Sequence, residues 1–210
     1  MVKDLTVPQV LRVIAIDPST TNMGVCVMDV DLSKRTPFKL VYVNTIKGDR
    51  VLYDIPEQYD DTINGTGVLA RCYGLARALG GIIDAYLTDW IDKACKFVKV
   101  CVTAIIEDNY LGRSPGTFKQ LIQAVAMLQT PFIERGIHVS TVTPIPPKET
   151  VGVVAKKSEK EDVHNGVMAY EHLDSEGFDL KVIDEHSSDA TAIALYRCEI
   201  IAKDYGVFYA

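Results

Sequence analysis

Three acidic side chains stand at the ends of apolar runs that are far apart in the sequence. Asp17 comes directly after VIAI, and Glu107 comes directly after KVCVTAII. Asp189 opens the apolar part of DEHSSDATAIALY, three residues after His186. Carboxylates that lie close together repel and raise one another's pKa unless a cation compensates them. If these residues meet in space, the set predicts a site for a hard divalent cation such as Mg²⁺, which prefers oxygen ligands.

The chemistry of such a site would be hydrolysis of a phosphodiester bond. Two divalent ions about 3.5–4 Å apart activate water and stabilise the leaving oxygen, and His186 would add a nitrogen ligand or a proton-transfer group. Each residue alone has an ordinary explanation: turn formation for Asp17, loop polarity for Glu107 and a favourable helix N-terminus for Asp189. We favour the catalytic interpretation because the residues occur together beside these predicted strands.

The elements that must position these residues follow from the apolar patterns. Strands are predicted at 13–16, 24–30, 39–46, 99–106 and 137–142, with the first two forming an antiparallel hairpin. Helices are predicted at 68–97, 117–135, 148–154, 159–173 and 187–203. The last helix would have Ser187 or Ser188 as its N-cap. If the first and fourth strands are neighbours, Asp17 and Glu107 project from one edge of the sheet.

The element order predicts an α/β protein with a mixed five-stranded sheet, in which the first three strands are antiparallel and helices cover both faces. A length of 210 residues with 48% hydrophobic residues fits a single domain over residues 1–210. No apolar run approaches the roughly 20 residues that span a bilayer, so we expect a soluble, cytoplasmic protein with no membrane partner. The five cysteines form no CxxC pair, which argues against a disulfide framework or a zinc site.

The charge of the chain gives a mixed indication about a nucleic-acid partner. The formal net charge is −6, whereas phosphate-binding proteins are usually basic. The charges are unevenly distributed, however. Residues 111–160 carry seven basic and three acidic side chains, a net +4, and residues 49–61 carry one basic and five acidic, a net −4. One face could therefore be basic, although composition alone favours ordinary solvated surface charge.

Three motifs in this order resemble the RuvC family of Holliday-junction resolvases, which have the RNase H-like fold. The first is IAIDPSTTNMGVCV, an apolar strand followed by Asp-Pro and a glycine-containing turn. The second is IIEDNYLGRS, with Glu107 and an aromatic residue, Tyr110, three positions later. The third is HSSDATAIA, with His186 and Asp189, and the basic segment PKETVGVVAKKSEKEDV precedes it. The resemblance extends over residues 13 to 202.

This resemblance implies a divalent-metal-dependent endonuclease that resolves four-way DNA junctions and related branched DNA. It would act as a homodimer, each subunit cutting one strand to leave 5′-phosphate and 3′-hydroxyl ends. Asp17, Glu107 and Asp189 would hold two Mg²⁺ or Mn²⁺ ions, with His186 as a fourth ligand or proton shuttle. The residues implied to contact DNA are Tyr110, Arg113, Lys119, Lys148, Lys156, Lys157 and Lys160.

The implied DNA and dimer contacts differ in how well the sequence supports them. Lys148 and Lys160 align best with the family's basic positions. Tyr110 would stack on a base, worth ~1–3 kcal/mol, although packing within its loop explains it equally well. The family often dimerises through the helix after the second motif, here 117–135. That helix has more than one apolar stripe, which a deeply buried helix would also show; its apolar residues are Leu121, Ile122, Val125, Ala126, Leu128 and Phe132.

The chain also departs from the family pattern. The spacing between Asp17 and Glu107 is longer than is typical of bacterial members, with extra sequence at 47–67. Together with the acidic overall charge, this favours a divergent, phage-encoded member. We hypothesise that the acidic segment 49–61 repels the DNA backbone and steers which junction arm enters.

Two functions from other classes compete with this interpretation. One is an actin-like nucleotide-binding ATPase or sugar-kinase relative, in which DPSTTNMG would serve as a phosphate loop. That class needs a second phosphate motif and a glycine-rich adenosine motif, and neither is evident. The other is a non-catalytic module that binds branched DNA. The complete acidic set argues against it, because a protein without catalysis is free to lose its carboxylates.

Overall fold

The computed structural model describes residues 11–48, 67–94, 101–108, 115–154 and 159–205. The strands of this part are β1 Leu11–Asp17, β2 Asn22–Val30, β3 Phe38–Lys47, β4 Cys101–Glu107, β5 His138–Val142 and β6 Leu173–Asp174. Its α-helices are α1 Val68–Ala94, α2 Pro115–Ile133, α3 Ile145–Thr150, α4 Lys160–Met168 and α5 Glu185–Asp204. A short 3-10 turn at Leu180–Val182 precedes α5.

The strands form one mixed sheet in the order β5-β4-β1-β2-β3-β6. Strands β1, β2 and β3 are antiparallel neighbours, whereas β4 runs parallel to both β1 and β5. The predicted antiparallel start and mixed sheet are confirmed. The first and fourth strands are neighbours, which was the condition for Asp17 and Glu107 to project from one edge of the sheet.

The sheet has six strands in the described residues rather than the predicted five, and the sixth begins at the last residue of the segment predicted as the helix 159–173. Helix α4 ends at Met168, and Tyr170 then stacks on Phe38 with ring centroids 6.4 Å apart. This aromatic contact brings the chain to the edge of the sheet, where two residues of β6 pair with the start of β3. A strand of two residues has no periodicity from which a sequence pattern could predict it.

Two hydrophobic clusters lie on opposite faces of the sheet. Because side chains alternate along a strand, Val13 and Ala15 of β1 face one cluster, and Ile14 and Ile16 face the other. The first cluster contains residues of α4, of α5 and of the segment directly after α3, and the second contains residues of α1 and α2. The prediction of helices on both faces is therefore confirmed.

Helices α2, α3 and α5 each begin two or three residues earlier than predicted. Helix α5 begins at Glu185, and its N-cap is Asp184, whose side chain accepts a hydrogen bond from the Ser187 amide at 3.0 Å. The prediction of a serine N-cap is therefore wrong, because the carboxylate one turn earlier already satisfies this amide. Helix α3 begins within the PIPP sequence rather than after it, since proline is tolerated in the first turn of a helix. No described helix is both long enough and apolar enough to cross a membrane.

Candidate active site

Asp17 and Glu107 end two neighbouring parallel strands at the same edge of the sheet. Ile16 of β1 is in register with Ile106 of β4, so the two carboxyl residues follow side by side. Adjacent strands are separated by about 4.8 Å. The alternation along each strand also places both acidic side chains on the face covered by α5. The condition under which Asp17 and Glu107 share one edge of the sheet is thus met.

A glycine allows α5 to reach this edge of the sheet. Gly24 of β2 is the direct partner of Asp17 in the antiparallel ladder. A Cβ atom at Gly24 would overlap the carbonyl oxygen of His186 and would lie 3.2 Å from the Cβ of Ala190. The first turn of α5 therefore packs directly on the β2 backbone beside Asp17. In the sequence this glycine is recognisable only as part of a turn motif, because nothing near it indicates which element will approach it.

His186 contacts Asp17 directly. Its Nδ1 atom lies 2.7 Å from Oδ2 of Asp17, and the two side chains are 23% and 12% exposed. This hydrogen bond raises the pKa of His186 against the opposing effect of burial, and the negative charges of Asp17, Glu185 and Asp184 raise it further. The imidazolium form, which donates through Nδ1 to the carboxylate, is accordingly favoured. The Nε2 atom lies 3.8 Å from a carboxylate oxygen of Glu185.

The ionised form of Asp189, the second carboxylate near His186, is unfavourable. Burial first, and then the negative charge of Asp17, raise the pKa of Asp189 to about 6, while the positive charges of Lys148 and His186 act in the opposite direction. The two aspartates are therefore electrostatic neighbours. Lys148, in the last turn of α3, is half-buried and contributes positive charge to the same site.

The chemistry of these donors fits a hard divalent cation. The carboxylates supply oxygen ligands, and a cation would relieve the repulsion that raises the pKa of Asp189. Within the described ranges, no group of three His, Cys, Asp or Glu side chains is already arranged to hold a metal ion. The side chains thus fit the cation by donor type and charge, without forming a ready-made cluster.

The other residues predicted to bind DNA have different positions. Lys119 lies on the exposed surface in the first turns of α2, and Lys160 is the first residue of α4. Four of the predicted residues, and the acidic segment 49–61, lie outside the described residues; these four are Tyr110, Arg113, Lys156 and Lys157. Of the predicted DNA-binding residues within the described ranges, Lys148 is the one whose positive charge acts on Asp189.

Two further residues fix the start of α5 and were not predicted. The hydroxyl of Thr45 in β3 donates to Oδ1 of Asp184 and lies 2.9 Å from the Ser187 hydroxyl. Aspartate is among the residues preferred at the N-cap, so Asp184, close before the predicted helix, could have been found from the sequence. Thr45 could not, because its contacts join residues about 140 positions apart.

Comparison with solved structures agrees with this architecture. RuvC of Thermus thermophilus has 17% identity and a TM-score of 0.57, with 93% of this chain and 97% of that chain covered. The same protein in complex with a Holliday junction substrate gives 16% identity, a TM-score of 0.56 and the same coverage. The yeast mitochondrial Holliday junction resolvase Ydc2 gives 14% identity and a TM-score of 0.56, with 94% and 82% covered.

The comparisons based on sequence give no match. No family model matches the chain, and no curated protein matches it. The TM-scores of 0.56–0.57 show a common fold, and identities of 14–17% do not by themselves show a common activity. The chain is therefore a divergent protein with the RuvC-like fold, a fold that it has in common with Holliday junction resolvases from a bacterium and from yeast mitochondria.

Proposed function

We propose that this protein is a structure-selective endonuclease that resolves Holliday junctions and related branched DNA by metal-dependent hydrolysis. The observation that carries the proposal is that Asp17 and Glu107 end neighbouring parallel strands on the face covered by α5. The beginning of α5 bears His186, which is hydrogen-bonded to Asp17, and Asp189, whose pKa is raised in part by the charge of Asp17. The common fold with RuvC, one structure of which contains a Holliday junction substrate, supports the choice of branched DNA.

The proposed roles follow from the position and charge of each side chain. Asp17, Glu107 and Asp189 would hold two Mg²⁺ or Mn²⁺ ions, with His186 available as a nitrogen ligand. Bound ions of this kind activate water and stabilise the leaving oxygen, which here would give 5′-phosphate and 3′-hydroxyl ends. His186 holds a proton on Nδ1 against Asp17, so it is also placed to transfer a proton at this edge.

The DNA would approach from the side of the basic segment. The charge of Lys148 beside Asp189 favours a phosphate group at the acidic edge, where the carboxylates alone would repel it. We propose supporting phosphate contacts from Lys160, Lys156, Lys157, Arg113 and Lys119, and base stacking from Tyr110. The single domain over residues 1–210 and the phage origin stay predictions.

A cleavage assay on matched substrates tests the proposed function. Synthetic four-way, Y-shaped and linear duplexes of the same arm sequences are incubated with Mg²⁺, Mn²⁺ or EDTA. We expect paired, symmetric nicks in the four-way junction with either metal, none with EDTA, and no cutting of the linear duplex. The nicked products should be sealed by DNA ligase without prior treatment, since they carry 5′-phosphate and 3′-hydroxyl ends. Equal cutting of linear DNA, cutting in EDTA, or ATP hydrolysis without any cleavage would contradict the proposal.

We also propose that the protein acts as a homodimer through α2. Val125, Leu128 and Phe132 of this helix are buried in the monomer core and are unavailable to a partner. Ile122 and Ile133, by contrast, are 47% and 66% exposed. Their separation of eleven residues, about three helical turns, places them on a second stripe of the helix. Two identical subunits would pair two cleavage sites by two-fold symmetry.

Replacing Ile122 with glutamate should weaken this dimer. We expect the dimer dissociation constant to rise about 30-fold, which corresponds to the ~2 kcal/mol of an interface hot spot. Sedimentation equilibrium measures this change, and circular dichroism checks that the fold is retained. The matched control is Leu69→Glu, since Leu69 is a similarly exposed apolar residue, 39% accessible, in the first turn of α1. A monomeric wild type, or equal weakening by both variants, would contradict the proposed interface.

A further inference from the structure

Thr45 lies in the same row of the sheet as the acidic edge. In the ladder between β2 and β3, Thr45 pairs with Gly24, and Gly24 in turn pairs with Asp17. Directly paired residues share a face of the sheet, so Thr45 and Asp17 both face α5, with the glycine between them. The first turn of α5 packs in the space above that glycine. Thr45 is therefore placed to hold this turn from the side opposite Asp17.

The hydroxyl of Thr45 completes a ring of hydrogen bonds around the start of α5. It donates to Oδ1 of Asp184, and its oxygen lies 2.9 Å from the hydroxyl of Ser187, which can donate to it. The Ser187 amide donates to the same Asp184 oxygen at 3.0 Å, which closes the ring. Ser187 is 3% exposed, so this part of the ring is shielded from water. An N-cap that is also bonded to a strand fixes the position of the helix as well as its end.

In the chain, His186 lies between Asp184 and Ser187, the two residues at the start of α5 that belong to this ring. Its side chain leaves the turn on the side of Asp17, and its Nδ1 atom reaches Oδ2 of Asp17 at 2.7 Å. The turn is in contact with Gly24 below and is bonded to Thr45 at one side. A lateral shift of α5 would therefore change the contact between His186 and Asp17 directly, together with the position of Asp189 one turn later.

We propose that Thr45 is a positioning residue of the active site, whose hydroxyl holds the first turn of α5 where His186 meets Asp17. The inference rests on the proposed function, in which these two side chains belong to the catalytic centre. Thr45 itself touches neither DNA nor metal in this proposal and acts through Asp184 and Ser187. A second explanation is that the hydroxyl only adds stability to the fold, and the experiment below separates the two.

The test compares two substitutions that differ in the hydroxyl group. Thr45→Val keeps the shape and removes the hydroxyl, whereas Thr45→Ser keeps the hydroxyl. We expect kcat for junction cleavage to fall about 10–100-fold in Thr45→Val, the range found for partners that orient metal ligands, with an unchanged junction Kd. Thr45→Ser should restore most of the wild-type kcat. The control is Thr36→Val, since Thr36 is exposed in the connection between β2 and β3. Wild-type kcat in Thr45→Val, or a Thr45→Ser variant as slow as Thr45→Val, would overturn the proposal.

A double-mutant cycle with Ser187→Ala keeps the test decisive if Thr45→Val is poorly folded. Both hydroxyls belong to one ring, so the double variant should lose little more kcat than the worse single variant. Multiplicative losses would show that the two residues act independently and would overturn the inference.

Hydrogen exchange of the Ser187 amide can be measured whether or not the protein cleaves DNA. If wild-type protein cuts no junction, the proposed function fails, whereas faster exchange in Thr45→Val still shows that the hydroxyl holds the first turn of α5, and unchanged exchange rejects that role.

Discussion

Replacing Asp17 with asparagine is expected to abolish metal-dependent junction cleavage while leaving junction binding intact. Asparagine keeps the size of the side chain and one oxygen that can accept from Nδ1 of His186, the atom that now lies 2.7 Å from Asp17. It removes the negative charge, which a divalent cation needs. Loss of an outer partner of a metal ligand already costs 10–100-fold, so loss of the ligand itself should reduce kcat by more than about 100-fold.

Single-turnover cleavage and a binding assay measure the two halves of this prediction. Cleavage of a labelled four-way junction is followed with Mg²⁺, and binding of the same junction is followed by electrophoretic mobility shift in EDTA. The control is Asp204→Asn, which removes an exposed carboxylate from the opposite end of α5, about 30 Å away along the helix. Undiminished cutting by Asp17→Asn would show that the catalytic centre lies elsewhere. A parallel loss of binding would show that Asp17 acts through the fold.

The acidic edge was predictable because each of its parts has a local signal. Asp17 and Glu107 each end an apolar run, and a run of this kind is typical of a buried strand. Once the two strands are parallel neighbours, the register requires both carboxylates to lie at one edge. His186 and Asp189 are three residues apart at the start of an apolar helix, so their proximity to each other was also a local property.

The parts that were not predicted depend on contacts between distant segments. Gly24 carries no sign in the sequence that the carbonyl of His186 will pack against it, since the two are more than 160 residues apart. In the sequence Thr45 is an ordinary β-branched residue of a strand, and only the folded structure shows its hydrogen bond to Asp184. The division of α2 into a buried stripe, with Leu128 and Phe132, and an exposed stripe likewise depends on where the sheet lies. Periodicity shows that a helix has apolar residues, and only packing shows which of them remain exposed.

Because Asp189 is buried near Asp17, we expect that removing its charge makes the metal-free protein more stable. Burial and the charge of Asp17 raise its pKa from 3.8 to about 6 in the folded protein. A group with a raised pKa stabilises the fold fully below its unfolded pKa, and this contribution is lost as the pH rises through about 6. Above pH 6, the metal-free protein therefore holds an ionised carboxylate in an unfavourable place. A difference of about two pKa units corresponds to at most ~3 kcal/mol.

Asp189→Asn should accordingly raise the Tm of the metal-free protein at pH 8 by up to about 5–10 °C. At pH 4 and below, where the carboxyl is mostly protonated in the wild type, the two proteins should unfold at similar temperatures. The raised pKa of His186 also makes stability fall with rising pH, since its favourable charged form is lost. The largest cause of that effect, the hydrogen bond to Asp17, is present in both proteins, so the difference between their Tm values at each pH reports Asp189 and its coupling to His186.

Divalent cations should reverse this order of stability if Asp189 is a ligand. Mn²⁺ added at pH 8 is expected to raise the Tm of the wild type, because bound cation relieves the repulsion between Asp17 and Asp189. The same addition should have a much smaller effect on Asp189→Asn, and it should have little effect on the wild type at pH 5, where protons compete with the cation. Calorimetry with and without EDTA measures all three differences.

A Tm for Asp189→Asn at or below that of the wild type at pH 8 in EDTA would contradict the repulsion between Asp17 and Asp189. An equal Mn²⁺ response in both proteins would show that Asp189 does not hold the ion. A carboxylate that lowers the stability of the metal-free protein, and through which Mn²⁺ raises that stability, acts by binding the ion. This pair of measurements therefore tests the proposed metal centre without any DNA.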